Sequence, residues 1–199
     1  MKRRRVMRRI VVIGPLGAGK STLALKISRL LGIPVHHLDW LYLGDSWTPT
    51  PPAEWQALLD RIVAGESWII DGNFTSSLPQ RFAAADIVIY LDISPLTSTI
   101  RATRRRILHR WRPAPGVPGG SRPMFDAQLF RWIWTFPKRN RLYLLEQLRQ
   151  PAVAEKTIIL RTPRDVRRFL RSLREPDVPV TQGGAGNPQM ARRLWRRRR

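Results

Sequence analysis

The residues best suited to chemistry lie near the start of the chain, in Gly14-Pro-Leu-Gly-Ala-Gly-Lys-Ser-Thr22. The spacing Gly14-x-x-x-x-Gly19-Lys20-Ser21 is that of a phosphate-binding loop. Its glycines (Gly14, Gly17, Gly19) let backbone N–H groups close on phosphate oxygens with no Cβ in the way. Lys20 adds a point charge for the β and γ oxygens, and the Ser21 hydroxyl is a hard oxygen ligand for Mg²⁺. Gly14, Pro15, Leu16, Gly17, Ala18, Gly19, Lys20, Ser21 and Thr22 together are therefore read as a nucleotide-binding loop. A helix starting at Lys20 would turn its positive end to the same anion.

Such a loop must be carried by a strand and a helix, and the flanks supply both. Ile10–Ile13 is a short apolar run of the buried-strand type. Leu23, Ile27, Leu30 and Leu31 follow at helical spacing, and Gly32 ends them. Further strands are expected at Pro34–Asp39, Trp68–Asp71, Asp86–Asp92 and Thr157–Leu160. Between the second and third, Thr50 is expected to cap a helix opened by Pro51, with Trp55, Leu58, Leu59, Ile62 and Val63 on one face. Ser94-Pro95 starts another helix, and Thr162-Pro163 starts one that carries Val166, Phe169, Leu170 and Leu173.

Alternating strands and helices predict an α/β fold: a three-layer sandwich around a five-stranded parallel sheet. Ligands in such sheets bind at the carboxyl ends of the strands. Gly14, Asp39, Asp71, Asp92 and Arg161 all fall there. Asp92 precedes Ser94-Pro95 and is read as shaping the strand-to-helix turn. His36 and His37 are adjacent in a strand, face opposite ways and cannot share a metal, so a structural role is expected.

The pattern changes between the fourth and fifth strands. Arg101-Ala-Thr-Arg-Arg-Arg106 is followed by a Pro/Gly-rich loop over 112–123, an aromatic stretch from Phe125 to Phe136, and Lys138-Arg-Asn-Arg141. This reads as an Arg-rich helical lid over about 104–140. The expected organisation is a main domain over 9–174, a basic arm over 1–8 and a disordered basic tail over 175–199.

The chain has 199 residues, a net charge of +22 and no cysteine. The basic residues of 1–9 and 192–199 account for six charges each, which leaves +10 in the body. Polyanionic partners are expected, with the arginines of the ends holding nucleic acid without reading sequence. A solvated tail is the plainer reading of the same arginines. Without cysteine there are no disulfides or thiolate metal sites, which fits a cytoplasmic protein. No stretch is long and apolar enough to span a membrane, the basic start is followed by too short an apolar run for a signal peptide, and a monomer is expected.

The phosphate loop, Trp68-Ile-Ile-Asp-Gly72 and the Arg-rich segment resemble the adenylate kinase-like P-loop kinases. More narrowly, His37-Leu-Asp39, Pro51-Pro-Ala-Glu-Trp55, Trp68-Ile-Ile-Asp-Gly-Asn73, Arg81 and Asp86-Ile-Val-Ile-Tyr-Leu-Asp92 are similar to the DNA topology modulation (FlaR-like) branch. The resemblance spans about residues 9–173. It implies phosphoryl transfer from ATP with Mg²⁺ to a small-molecule acceptor, a nucleotide or nucleoside being the first expectation. Lys20, Arg101 and Arg105 would then stabilise the transferring group, and Ser21 and Asp71 would hold the metal. Asp39 would orient or deprotonate the acceptor hydroxyl, and Asp39, Asn73 and Arg81 would bind the acceptor. Plainer roles stand beside these: a solvated basic face for Arg101 and Arg105, a turn residue for Asp71, a cap for Asp39. Adenylate kinases follow the Asp-Gly closely with Phe-Pro-Arg. Here Asn73-Phe74 follows and Arg81 is the nearest arginine, which argues against adenylate kinase activity proper. The rival reading is a nucleic-acid-associated ATPase working through the basic ends.

Overall fold

The sheet follows from short apolar runs whose successive side chains must enter opposite layers. A computed structural model describes residues 7–15, 17–43, 48–93 and 142–174. Its strands are β1 (Arg9–Ile13), β2 (Val35–His37), β3 (Trp68–Asp71), β4 (Ile87–Leu91) and β5 (Thr157–Leu160). They form one parallel sheet in the order β2-β3-β1-β4-β5. In β1, Ile10 and Val12 enter one core and Val11 and Ile13 the other. Runs buried on both faces explain why these strands are continuously apolar rather than alternating.

Helix α1 (Lys20–Leu31) and helix α6 (Pro163–Ser172) cover the first of these faces. Leu23, Ala24, Ile27 and Phe169 are their buried contacts with Ile10, Val12, Ile69, Ile89 and Leu91. Helix α3 (Pro52–Ala64), helix α4 (Leu78–Ala84), the short α5 (Pro151–Ala154) and a helical segment over 142–149 serve the other face. There Trp55, Leu59, Leu78, Phe82, Leu144 and Leu148 pack with Val11, Ile70, Val88 and Tyr90. The five-stranded parallel α/β sandwich expected from the sequence is thus the fold. The arm over 1–6, Leu16, Arg101, Arg105, the lid over 104–140 and the tail over 175–199 lie outside the described residues.

Two local expectations differ. The second strand ends at His37, because Leu38–Leu43 turns into helix α2; Asp39 therefore sits in a first helical turn. The turn lets Leu38 bury completely beneath Gly72. Thr50 does not cap α3, whose N-cap is Pro51 with no side-chain bond. Instead the Thr50 hydroxyl donates to the Tyr42 carbonyl at 2.8 Å and pins the loop return to α2. Helix α4 had no apolar periodicity long enough to read in the sequence. By contrast, Thr162 caps α6 in a full capping box with Asp165, worth about 1 kcal/mol. Gly32 closes α1 in the left-handed conformation, as its position suggested.

Candidate functional site

In an open parallel sheet the binding crevice forms where strand order reverses, and here β1 is that centre, between β3 and β4. The phosphate loop leaves β1 at Gly14 and enters α1 at Lys20. Gly14 has φ +151°, and a Cβ built there would meet the Leu91 carbonyl oxygen at 2.7 Å. Only glycine lets the loop leave the sheet so close to β4.

Two groups fix the loop. The Asn73 side-chain Oδ1 accepts the Gly14 N–H at 3.1 Å, and its Nδ2 donates to the Gly14 carbonyl at 2.9 Å. Lys20 Nζ donates to the carbonyls of Gly14 and Pro15, both at 3.1 Å. The lysine thus folds back over its own loop, where an anion in the cradle would compete for the same ammonium. Ser21 is half-buried as the second residue of α1.

The neighbouring strands bring acidic and imidazole groups to the same end. His37 and Asp71 are register partners on β2 and β3. His37 Nδ1 lies 2.7 Å from Asp71 Oδ1, with the two side chains 14% and 5% exposed. Asp71 lies two residues along β3 from Ile69 and so shares its face, the one that α1 covers. His37 also packs its ring against Trp40 at a centroid distance of 4.8 Å.

Asp39 completes the group. Its surface is open to solvent, but the protein around it raises its carboxyl above the ordinary aspartate value. Desolvation is the largest cause; Asp71 adds to it, while Lys20, His37 and Arg81 oppose it. Lys20, Asp39, Asp71 and His37 therefore share one electrostatic neighbourhood at the carboxyl ends of β1, β2 and β3.

Two expected acceptor ligands are otherwise engaged. Arg81 is fully buried. Its guanidinium donates to the carbonyls of Gly72, Asn73 and Phe74, each at 2.9 Å, and to Ser77 Oγ at 3.1 Å. Burial pulls its pKa down to about 9, with Asp39 opposing, so the cation persists at neutral pH. It organises the loop after β3. Asn73 spends both ends of its amide on Gly14 and so holds the start of the loop that follows β1. The two form a chain, with Arg81 holding the loop that carries Asn73 and Asn73 holding Gly14.

Sequence reasoning missed the His37–Asp71 pair, treating the histidines as structural. Alternation showed that His36 and His37 part company, but only the β2–β3 register shows which one meets Asp71. Asp92 stands beside Arg161, with Arg161 Nε 3.6 Å from Asp92 Oδ2 at the ends of β4 and β5.

For Mg²⁺, the fit rests on donor chemistry. Ser21 offers a hydroxyl and Asp71 a carboxylate whose Oδ1 is held by His37, both hard oxygen donors. The described residues contain no group of three or more His, Cys, Asp or Glu able to enclose a metal. Mg²⁺ at nucleotides needs no such cage, since phosphates and water fill most of its octahedron.

No family model matches the chain, and no curated protein matches it. Among solved structures it is similar to shikimate kinase from Bacteroides thetaiotaomicron, at 18% identity and TM-score 0.47, over 84% of this chain and 97% of that one. A gluconokinase from Sinorhizobium meliloti 1021 is similar at 18% identity and TM-score 0.47, over 98% of this chain and 100% of that one. A deoxyadenosine kinase from M. mycoides is similar at 17% identity and TM-score 0.45, over 82% and 97%.

Proposed function

We propose that the chain is an ATP-dependent phosphotransferase acting on a hydroxyl of a small-molecule acceptor. The observation that carries this reading is the convergence of Lys20 and Asp39, with Asp71 beside them, on one end of the sheet. A phosphate-binding loop alone serves any nucleotide hydrolase. An aspartate carboxyl in the electrostatic field of the loop lysine adds a group that could take the proton of an acceptor hydroxyl.

In this reading Gly14 to Thr22 cradle the triphosphate through backbone N–H groups, and Lys20 leaves its intraloop carbonyls for the β and γ oxygens. Ser21 and Asp71 would hold Mg²⁺, which supplies charge neutralisation on the phosphates when bound. Asp39 accepts the hydroxyl proton as the acceptor oxygen bonds to the γ-phosphorus; the bond to the bridging oxygen breaks and ADP leaves. Arg101 and Arg105 are proposed to add positive charge to the closing site. A nucleotide or nucleoside remains the first acceptor to try, on the resemblance alone, and the segment from Asp39 to Asn73 is proposed to border its pocket.

The deciding experiment measures ADP release with MgATP against nucleoside monophosphates, nucleosides and small polyols or hydroxy acids. Acceptor-dependent ADP release that Lys20→Ala abolishes supports the reading. Release that no acceptor accelerates would make the protein an ATPase.

A further inference from the structure

Among the described residues, the charges on the helices are segregated by sheet face. On the α1–α6 layer, Lys26 and Arg29 of α1 and Arg164, Arg167, Arg168 and Arg171 of α6 are all exposed. Against these six cations the two helices carry one acid, Asp165. Its carboxylate is engaged with the backbone N–H groups of Arg161 and Thr162 in the capping box, near Arg168. None of the six cations forms an ion pair with a described residue. Among the described residues the opposite layer is balanced. Helix α3 sets Glu54 and Asp60 against Arg61, segment 142–149 sets Glu146 against Arg149, and the one arginine of α4, Arg81, is buried.

We infer that the α1–α6 face is a docking surface for the phosphodiester backbone of nucleic acid, read without sequence and separate from the transfer site. It does not depend on the proposed reaction. Arg164, Arg168 and Arg171 stand at i, i+4 and i+7 and form one stripe. The stripe rises about 10 Å, roughly three phosphates of one strand at about 3.4 Å each along a duplex. Cations left without acidic partners cost little to bring onto phosphates, and guanidinium groups hold phosphate oxygens in bidentate fashion. A lipid surface fits less well. Both helices turn their apolar faces into the core, and Leu25 is the one exposed large hydrophobic residue on them, whereas an interfacial helix needs an apolar face to insert.

The test uses the full chain, so that both basic ends are present throughout. Two charge-matched variants are compared with wild type: Arg168→Gln/Arg171→Gln on this face and Arg61→Gln/Arg149→Gln on the other. Binding to a labelled 20-base-pair duplex DNA and to single-stranded RNA is measured by anisotropy across a salt series, binding to phosphatidylserine vesicles by cosedimentation, and folding is verified by thermal melts. Loss of two phosphate contacts should reduce the log–log salt slope on the duplex by about 2 and weaken binding about tenfold at moderate salt. The Arg61/Arg149 variant should stay within about twofold of wild type. A fall in either nucleic-acid arm supports the surface and identifies the form it prefers. Equal losses in the two variants, or none in either, would assign binding to net charge or the chain ends and overturn it. So would a loss on Arg168→Gln/Arg171→Gln confined to phosphatidylserine vesicles.

Discussion

Asn73 and Gly14 are joined by two hydrogen bonds through one side-chain amide, although 59 residues separate them in the chain. An amide that both accepts from and donates to one residue's backbone fixes that residue's orientation as well as its distance. Gly14 is the hinge from which the phosphate loop leaves β1, so this pair ties the loop's conformation to the turn after β3.

Asn73→Ala should therefore weaken both stability and nucleotide affinity. Gly14 is buried, and removing the amide leaves its N–H without that partner, at a cost of about 2 kcal/mol. For a chain of this size the melting temperature should fall by about 4–8 °C. ATP affinity measured by calorimetry should drop several-fold, and acceptor KM should move less. A fall in acceptor affinity alone would return Asn73 to the acceptor pocket.

Arg81→Lys should not rescue Arg81→Ala. The guanidinium spans the carbonyls of Gly72, Asn73 and Phe74 together with Ser77, a reach and planarity that one ammonium lacks. Both variants should lose about 3–5 kcal/mol in urea unfolding, the scale for breaking a buried charged network. A lysine variant of wild-type stability would show that charge alone suffices there.

The pH dependence of turnover reports on Asp39. Its folded-state pKa is raised, so the carboxylate proposed as the base is lost on acidification at a higher pH than an ordinary aspartate would show. The acidic limb of kcat/KM should lie above that ordinary range, and Asp39→Asn should reduce kcat by about 10²–10⁴-fold. Raised pKa also means that the ionised form is favoured less in the fold than in the unfolded chain. Stability from this group is fully present at low pH and falls as pH rises through the raised value. At neutral pH, then, Asp39→Asn should not lower the melting temperature. A marked decrease would identify Asp39 as a structural cap.

Gly14→Ala should abolish nucleotide binding with a modest change in secondary structure. The new Cβ would stand 2.7 Å from the Leu91 carbonyl oxygen, a backbone atom that cannot swing aside, at a φ that L-residues avoid. Circular dichroism and ATP calorimetry separate the two effects. Binding within twofold of wild type would show that β4 yields there.

What the sequence revealed was contiguous. Gly14 to Ser21 carries its chemistry in eight adjacent residues, and β1, β3, β4 and β5 are apolar runs whose lengths suit strands. The missed relations all cross the chain. The burial of Arg81 was not legible because an exposed and a buried arginine are written alike; it depends on how α4 packs under the β3 turn. His37 and Asp71 meet only because β2 lies beside β3, and strand order is not written in either segment. Asp39 was placed at a strand end because Val-His-His-Leu reads as extended. The pull of Leu38 into the core beneath Gly72 bends it into α2 instead.

Strand order also distributes rigidity across the site. The nucleotide loop hangs from β1, the middle strand, hydrogen-bonded on both sides, whereas Asp39 follows β2, a three-residue strand at the sheet margin. Margins open before centres, so amide exchange should be slowest through Ile10–Ile13 and faster by orders of magnitude across His36–Leu43. Half of the site is thus anchored in the least yielding part of the molecule and half in a part free to fluctuate. In the proposed transfer reaction, such a division would let the acceptor side reshape around different hydroxyl compounds while the phosphate cradle holds still.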